Sequence, residues 1–225
     1  VALDITLKVA DILKKRNIEV IMTRTSDVSP SGDSIIKNDL QARCNIANKA
    51  KADIFVSIHL NSGSDKATGS EVYYYKNSQN GKRLAGEILT SLVTSLDGVG
   101  LGLFAVPLEA QTDTLAEANR GIKEGRFYVL ANTAMPACLV EVDFISNPEV
   151  EAKLRDNSFR LRAANGIAGG IFKYFGIPYP FGYEDYKLRA LEKLSRAAKF
   201  NSYHSPDEVV DLGFLSVILE RLKLI

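Results

Sequence analysis

Apolar side chains recur along this chain with two different spacings, and the switches between them mark out its elements. From Val1 to Lys15, residues Leu3, Ile5, Leu7, Val9, Ala10, Ile12 and Leu13 fit, for the most part, one helical stripe. Lys14, Lys15 and Arg16 put cations where a helix C-terminus favours them, and Asn17 suits a left-handed cap. Ile18 to Thr23 reads as a strand that ends at Arg24, and Ser26 to Asp33, with its Pro, Gly, Ser and Asp, reads as a loop. Asn38 or Asp39 can cap a helix through Ala50, with Leu40, Cys44, Ile46 and Ala47 toward its inner side. Ile54 to Ile58 is a short, β-branched run of the kind buried on both faces of a sheet. A loop from Asn61 to Gly69, a strand from Ser70 to Lys76, a turn over Asn77 to Gly81 and a helix from Leu84 to Leu96 follow.

Gly98 to Gly125 is irregular, with a short helix readable around Thr114 to Asn119. A long patternless segment inside an α/β domain is usually functional or mobile. Phe127 to Leu130 and Ala137 to Glu141 read as strands separated by a turn. Asn147 and Pro148 open a helix as cap and first residue, and a second helix runs from about Ser158 to Phe175. Strands thus alternate with helices to Phe175, which predicts an α/β fold: a mainly parallel (mixed) sheet flanked by helices. Gly176 to Gly182 breaks the pattern as a linker, and two helical segments, about Glu184 to Phe200 and Pro206 to Leu224, form a C-terminal helical appendage. The expected division is therefore a domain over 1–176 and an extension over 177–225.

Composition narrows the class. The chain has 225 residues, 46% hydrophobic and 24% charged, as a globular protein does. A formal net charge of +1 gives no electrostatic case for nucleic acid as a partner, and no stretch is long and apolar enough to span a bilayer. Two cysteines, Cys44 and Cys138, are too few for a disulfide framework or a Cys-rich zinc module. Both read as buried free thiols, with a Cys44–Cys138 pairing as the alternative. The first residue, Val1, already sits in a helical pattern, so the chain is expected to be processed, truncated or incomplete at its N-terminus.

The chemistry collects at two strand ends. Only two histidines are present, His59 and His204. His59 follows the Ile54–Ile58 strand and Glu141 follows the Ala137–Val140 run. In open α/β sheets, sites form beyond the carboxyl ends of strands, so one imidazole and one carboxylate are expected to face the same crevice. His204, in Asn201-Ser202-Tyr203-His204-Ser205-Pro206, reads as a loop or helix-start residue.

Several segments then fall into one series. They are Val20-Ile21-Met22-Thr23-Arg24, Leu40-Gln41-Ala42-Arg43 with Ala47-Asn48, Ala52-Asp53-Ile54-Phe55-Val56-Ser57-Ile58-His59-Leu60-Asn61, and Gly69-Ser70-Glu71-Val72-Tyr73-Tyr74. Phe127 to Thr133 and the run from Met135 to Glu149 complete it. In this order they strongly resemble the zinc-dependent N-acetylmuramoyl-L-alanine amidases of the amidase 3 type, cell-wall hydrolases of bacteria and their phages. The resemblance spans roughly Val1 to Phe175. It implies that His59 is a zinc ligand, the family's second histidine, and that Glu141 is the catalytic glutamate. It also implies one zinc ion as cofactor, peptidoglycan as substrate and partner, and a place at the cell wall, outside the cell or with a phage. The bond cut would join N-acetylmuramic acid to the L-alanine of the stem peptide. The family's first histidine and its zinc-binding glutamate would fall upstream of Val1, with its N-terminal strand, so this chain alone is expected to be incomplete or inactive.

Asn61 is a candidate for contact with substrate or with the His59 loop, and Glu71 for orienting His59 or, alternatively, a charge at a strand edge. Arg24 and Arg43 read as partners of nearby carboxylates. Tyr73, Tyr74 and Tyr75 could offer a sugar-stacking face, although strand alternation turns at least one inward. Asp143 stands where the family usually has glycine and reads as a tolerated variation near the site. A second reading is a catalytically inactive amidase-fold module that binds wall or a partner protein in a larger assembly. The C-terminal helices either pack back on the domain or take up such a protein partner.

Overall fold

The computed structural model describes residues 1–96 and 118–178. They form a four-stranded mixed sheet with helices on both faces, in keeping with the class read from the pattern. In chain order the elements are α1 (Ala2–Lys14), α2 (Ile36–Ala50), β1 (Phe55–Asn61), β2 (Ser70–Tyr74) and α3 (Gln79–Leu96). Then come β3 (Asn119–Glu124), α4 (Tyr128–Asn132), β4 (Ala137–Phe144), α5 (Pro148–Arg155) and α6 (Asn157–Phe175). The strand order is β1-β4-β2-β3. β1 runs parallel to β4, β2 parallel to β3, and β2 antiparallel to β4.

The larger core lies where α1, α3 and α6 cover one face with Ile5, Val9, Ile88, Leu92, Ile167 and Phe172, against Val72, Val140 and Val142 of the strands. On the other face, Cys44 and Ala47 of α2 and Val129 and Leu130 of α4 close over Phe55, Ala137 and Leu139. Helices α3 and α6 cross closely because α6 carries glycine at the contact. A Cβ on Gly170 would stand 2.4 Å from the Ile88 Cα, and one on Gly166 would stand 2.6 Å from the Leu92 Cα. Both cysteines are free and buried.

Local chemistry sets the helix ends. Asn17 ends the first helical segment with φ 57°, as its residue type predicts. The Asn147 side chain accepts from the backbone N–H groups of Glu149 and Val150, with Pro148 in the first turn. Gly176 closes α6 at φ 67°. Helix α2 begins earlier than expected, at Ile36, and Asn38 and Asp39 lie inside its first turn rather than capping it.

Three assignments differ from expectation. Ile18–Thr23 joins no sheet; Ile18 and Val20 still pack on the larger core. A ladder needs a neighbouring backbone, and here a cleft separates this segment from β1. Phe127–Leu130 is not a strand: Phe127 is the extended cap of α4, whose Val129 and Leu130 are buried. A four-residue apolar run has no period by which helix and strand can be told apart. Asn119–Glu124 is a strand where no pattern signals one, because an edge strand carrying Arg120, Lys123 and Glu124 has little apolar alternation to show. The readings for 98–117 and for the 177–225 extension fall, but for Ile177 and Pro178, outside the described residues. No described helix is long and apolar enough to cross a membrane.

Candidate active site

His59 lies near the C-terminal end of β1, and Glu141 of β4 is its direct partner in the parallel register. Glu71 of β2 is in turn the direct partner of Glu141 in the antiparallel register. Register partners project to the same face, so the imidazole and the two carboxylates form one row across three strands. They share the face of the smaller core, two residues beyond Ser57, Leu139 and Tyr73. A cleft of about 600 Å³ opens here, bounded by His59, Glu141, Ser57 and Tyr128, with Arg24 and Arg43 on its rim.

The two carboxylates are environmental opposites. Glu141 is largely enclosed, and its Oε2 is buried without a hydrogen-bond partner. Burial, and then the negative charge of Glu71, push its carboxyl up to about 7. Glu71 is only 3% exposed but fully engaged. Its Oε1 accepts from the Asn61 amide at 2.8 Å and from the Tyr73 hydroxyl at 2.6 Å. Its Oε2 takes the Arg120 Nε at 3.0 Å and the Lys123 ammonium. Burial pushes this carboxyl up, but the bonds from Lys123, Tyr73 and Arg120 outweigh it and hold it at about 2. Tyr73 is pushed up to about 12 by burial and by donating to Glu71.

The His59 ring meets Ser57 Oγ through Nε2 at 2.9 Å. Partial desolvation of the ring, in a residue that stays open to solvent, followed by the charges of Arg43 and Arg24, lowers its pKa and favours the neutral imidazole a metal ligand must be. Arg43 is held by Asp39 at 2.6 Å and by the Thr23 hydroxyl at 3.2 Å, and Arg24 pairs with Asp27 at 2.9 Å, so both cations are tied to loop and helix carboxylates. Glu71 is separated from His59 by Glu141 and binds Asn61, so Asn61 is part of its clamp.

The loop after β1 is stapled to the end of β4. Asp143 Oδ1 accepts from Gly69 N at 2.9 Å, Phe144 N at 2.8 Å and Thr68 Oγ1 at 3.2 Å. Gly63 N donates to Ser146 Oγ at 2.9 Å, and Asn147 Nδ2 donates to the Ala67 carbonyl at 3.1 Å. Asp143 is thus a loop clamp, a role its position in the run does not reveal. Sequence reasoning also misses Arg120 and Lys123, since they lie in the segment that reads as irregular; a charged pair three apart beside a glycine is their only trace.

His59 and Glu141 offer an imidazole and an unpartnered carboxylate oxygen, but a catalytic zinc takes about three protein ligands and an open position. Among the described residues, no group of three or more His, Cys, Asp or Glu side chains could hold a metal ion. These two donors therefore do not by themselves complete a zinc site.

Residues 1–173 match the family model described as N-acetylmuramoyl-L-alanine amidase. The germination-specific N-acetylmuramoyl-L-alanine amidase of Bacillus subtilis (strain 168) is 30% identical over 182 residues, which cover 78% of this chain and 69% of that relative. Among solved structures, the catalytic domain of CwlV, an N-acetylmuramoyl-L-alanine amidase from Bacillus (Paenibacillus) polymyxa var. colistinus, is similar at a TM-score of 0.61 and 35% identity, covering 78% of this chain and 83% of that one. The CwlD amidase from Clostridioides difficile, in complex with the GerS lipoprotein, is similar at a TM-score of 0.64 and 28% identity, covering 77% of this chain and 84% of that one.

Proposed function

Because the chain belongs to the N-acetylmuramoyl-L-alanine amidase family, whose members hydrolyse peptidoglycan, we propose that the cleft bounded by His59 of β1 and Glu141 of β4 is where it cuts the bond from the lactyl group of N-acetylmuramic acid to L-alanine. Glu141 is the general base and acid. It takes a proton from the attacking water as the water oxygen bonds to the amide carbon, then returns a proton to the nitrogen as the C–N bond breaks. A carboxyl raised to about 7 suits both halves of that cycle near neutral pH. The observation that carries the reading is the His59–Glu141 register pair, with a buried carboxylate oxygen left unpartnered at the cleft.

Zinc is the cofactor we assign by family, one ion, with His59 as the donor this chain offers it. When bound, the ion lowers the pKa of water to about 7 and polarises the carbonyl. The remaining donors are not among the described residues, so both proton transfers are assigned to the protein's own carboxylate. Action at the cell wall follows from the same family reading. A protein partner is proposed on two grounds: the apolar positions of residues 206–224 and the similarity to an amidase solved with a lipoprotein. A non-catalytic wall-binding role is not favoured, since the named relatives are amidases.

The test is incubation of the protein with purified peptidoglycan, with and without added zinc. Newly exposed L-alanine amines support the reading. Intact stem linkages after incubation with a zinc-loaded protein overturn it.

A further inference from the structure

The Glu71 cluster holds more positive charge than its structural task requires. One buried carboxylate needs one cation, yet both Arg120 and Lys123 converge on Oε2, while two neutral donors fill Oε1. The cluster therefore carries one net positive charge. That charge faces outward: the Arg120 and Lys123 side chains are 39% and 38% exposed, whereas the Glu71 side chain is 4% exposed. Both cations also keep N–H groups beyond the one spent on Glu71, since an ammonium has three and a guanidinium five. Arg120 is fixed further, with its guanidinium 4.7 Å over the Phe144 ring and Nη1 3.5 Å from the Thr68 carbonyl. Two pre-positioned cations on a rigid buried anchor are the elements of a carboxylate site.

Its position gives the ligand. The row runs His59, Glu141, Glu71, and the cations lie on the side of Glu141 away from His59. In the amidase reading, Glu141 returns the proton to the leaving nitrogen, and a peptide that runs from that nitrogen away from His59 meets the cations. Adjacent strands are about 5 Å apart and an extended residue spans roughly 3.5 Å, so a group one or two residues past the L-alanine nitrogen reaches them. We propose that Arg120 and Lys123, anchored by Glu71, form a subsite that recognises a free carboxylate of the stem peptide one or two residues downstream of L-alanine. The subsite rests on the amidase reading for its placement, and it makes the chain selective for acidic over amidated stem peptides.

Two synthetic ligands test this: N-acetylmuramoyl-L-alanyl-D-glutamate γ-methylamide with its α-carboxylate free, and the same compound with that carboxylate amidated. Binding is measured by calorimetry on the full-length protein carrying Glu141→Gln, and amine release on the zinc-loaded, unsubstituted full-length protein. The free acid is expected to bind about tenfold more tightly at low salt, as charge-assisted hydrogen bonds to pre-positioned cations do. That preference should shrink as sodium chloride rises from about 20 to about 500 mM. Lys123→Gln and Arg120→Gln should each cut it to about twofold or threefold, and Lys123→Arg should keep it. Equal affinity for the two ligands, a preference insensitive to salt, or a preference that survives Arg120→Gln with Lys123→Gln overturns the subsite. The salt series needs no variant at the subsite, so it decides the matter even where a substitution there unfolds the protein. Preferential binding of the acid without amine release from either ligand supports the subsite and refutes the amidase reading instead.

Discussion

Glu141 should weaken the fold at the pH where it works. In the unfolded chain its carboxyl ionises near the ordinary 4.5, whereas in the fold burial and the charge of Glu71 raise it to about 7. The folded state therefore holds that proton more tightly. Its contribution to stability is full below pH 4.5, falls as pH rises toward 7, and is lost above that. At about 1.4 kcal/mol for each pH unit, the window sets a ceiling of roughly 3 kcal/mol, and relaxation around a partly accessible carboxylate brings the expectation to about 1–3 kcal/mol. Glu141→Gln keeps the shape and removes the titration. In metal-free protein at about pH 8, this variant should melt above the parent by roughly 2–10 °C, while at about pH 4.5 the two should nearly coincide. Thermal melts by circular dichroism at both pH values, in the presence of a chelator, measure the difference. A variant no more stable than the parent at high pH, or one whose advantage is equal at both pH values, would refute the claim that the carboxylate is enclosed and uncompensated.

Two substitutions on the α3–α6 pair should act with opposite sign. Gly170→Ala drives a methyl into the Ile88 backbone and should cost about 2–4 kcal/mol, whereas Gly86→Ala, which meets nothing within 4 Å, should gain about 0.5–1 kcal/mol from helix propensity; denaturant titration measures both. Asp143→Ala strips the acceptor from two backbone N–H groups and the Thr68 hydroxyl, and should lower stability by about 3 kcal/mol, with Asp143→Asn falling between; thermal melts compare the three chains. Asn147→Ala removes the cap of α5 and its tether to Ala67, for a loss of about 1–2 kcal/mol on the same measurement.

What the sequence discloses follows from where its signals are strong. Strands β1 and β4 carry short, mainly apolar runs, and their polar residues His59 and Glu141 are legible as a pair because each follows such a run. Caps are legible where side-chain chemistry decides them, as at Asn17 and Asn147. The strand reading of Ile18–Thr23 fails because a strand is a property of two backbones, and local sequence describes one. That of Phe127–Leu130 fails for want of length, since four apolar residues fit a helix turn and a strand equally. The electrostatics are hidden most deeply. Glu71 and Lys123 are 52 residues apart in sequence, and only the β2–β3 pairing brings the cation to the carboxylate and so sets the environment of Glu141.

The most direct test of the central claim is the appearance of N-terminal L-alanine when purified peptidoglycan is treated with the zinc-loaded full-length protein, compared with its Glu141→Gln and His59→Ala variants. Shared work at one cleft predicts release by the parent and a fall of at least about a hundredfold in each variant, both still folded by circular dichroism. Release that persists in a folded Glu141→Gln protein would contradict it.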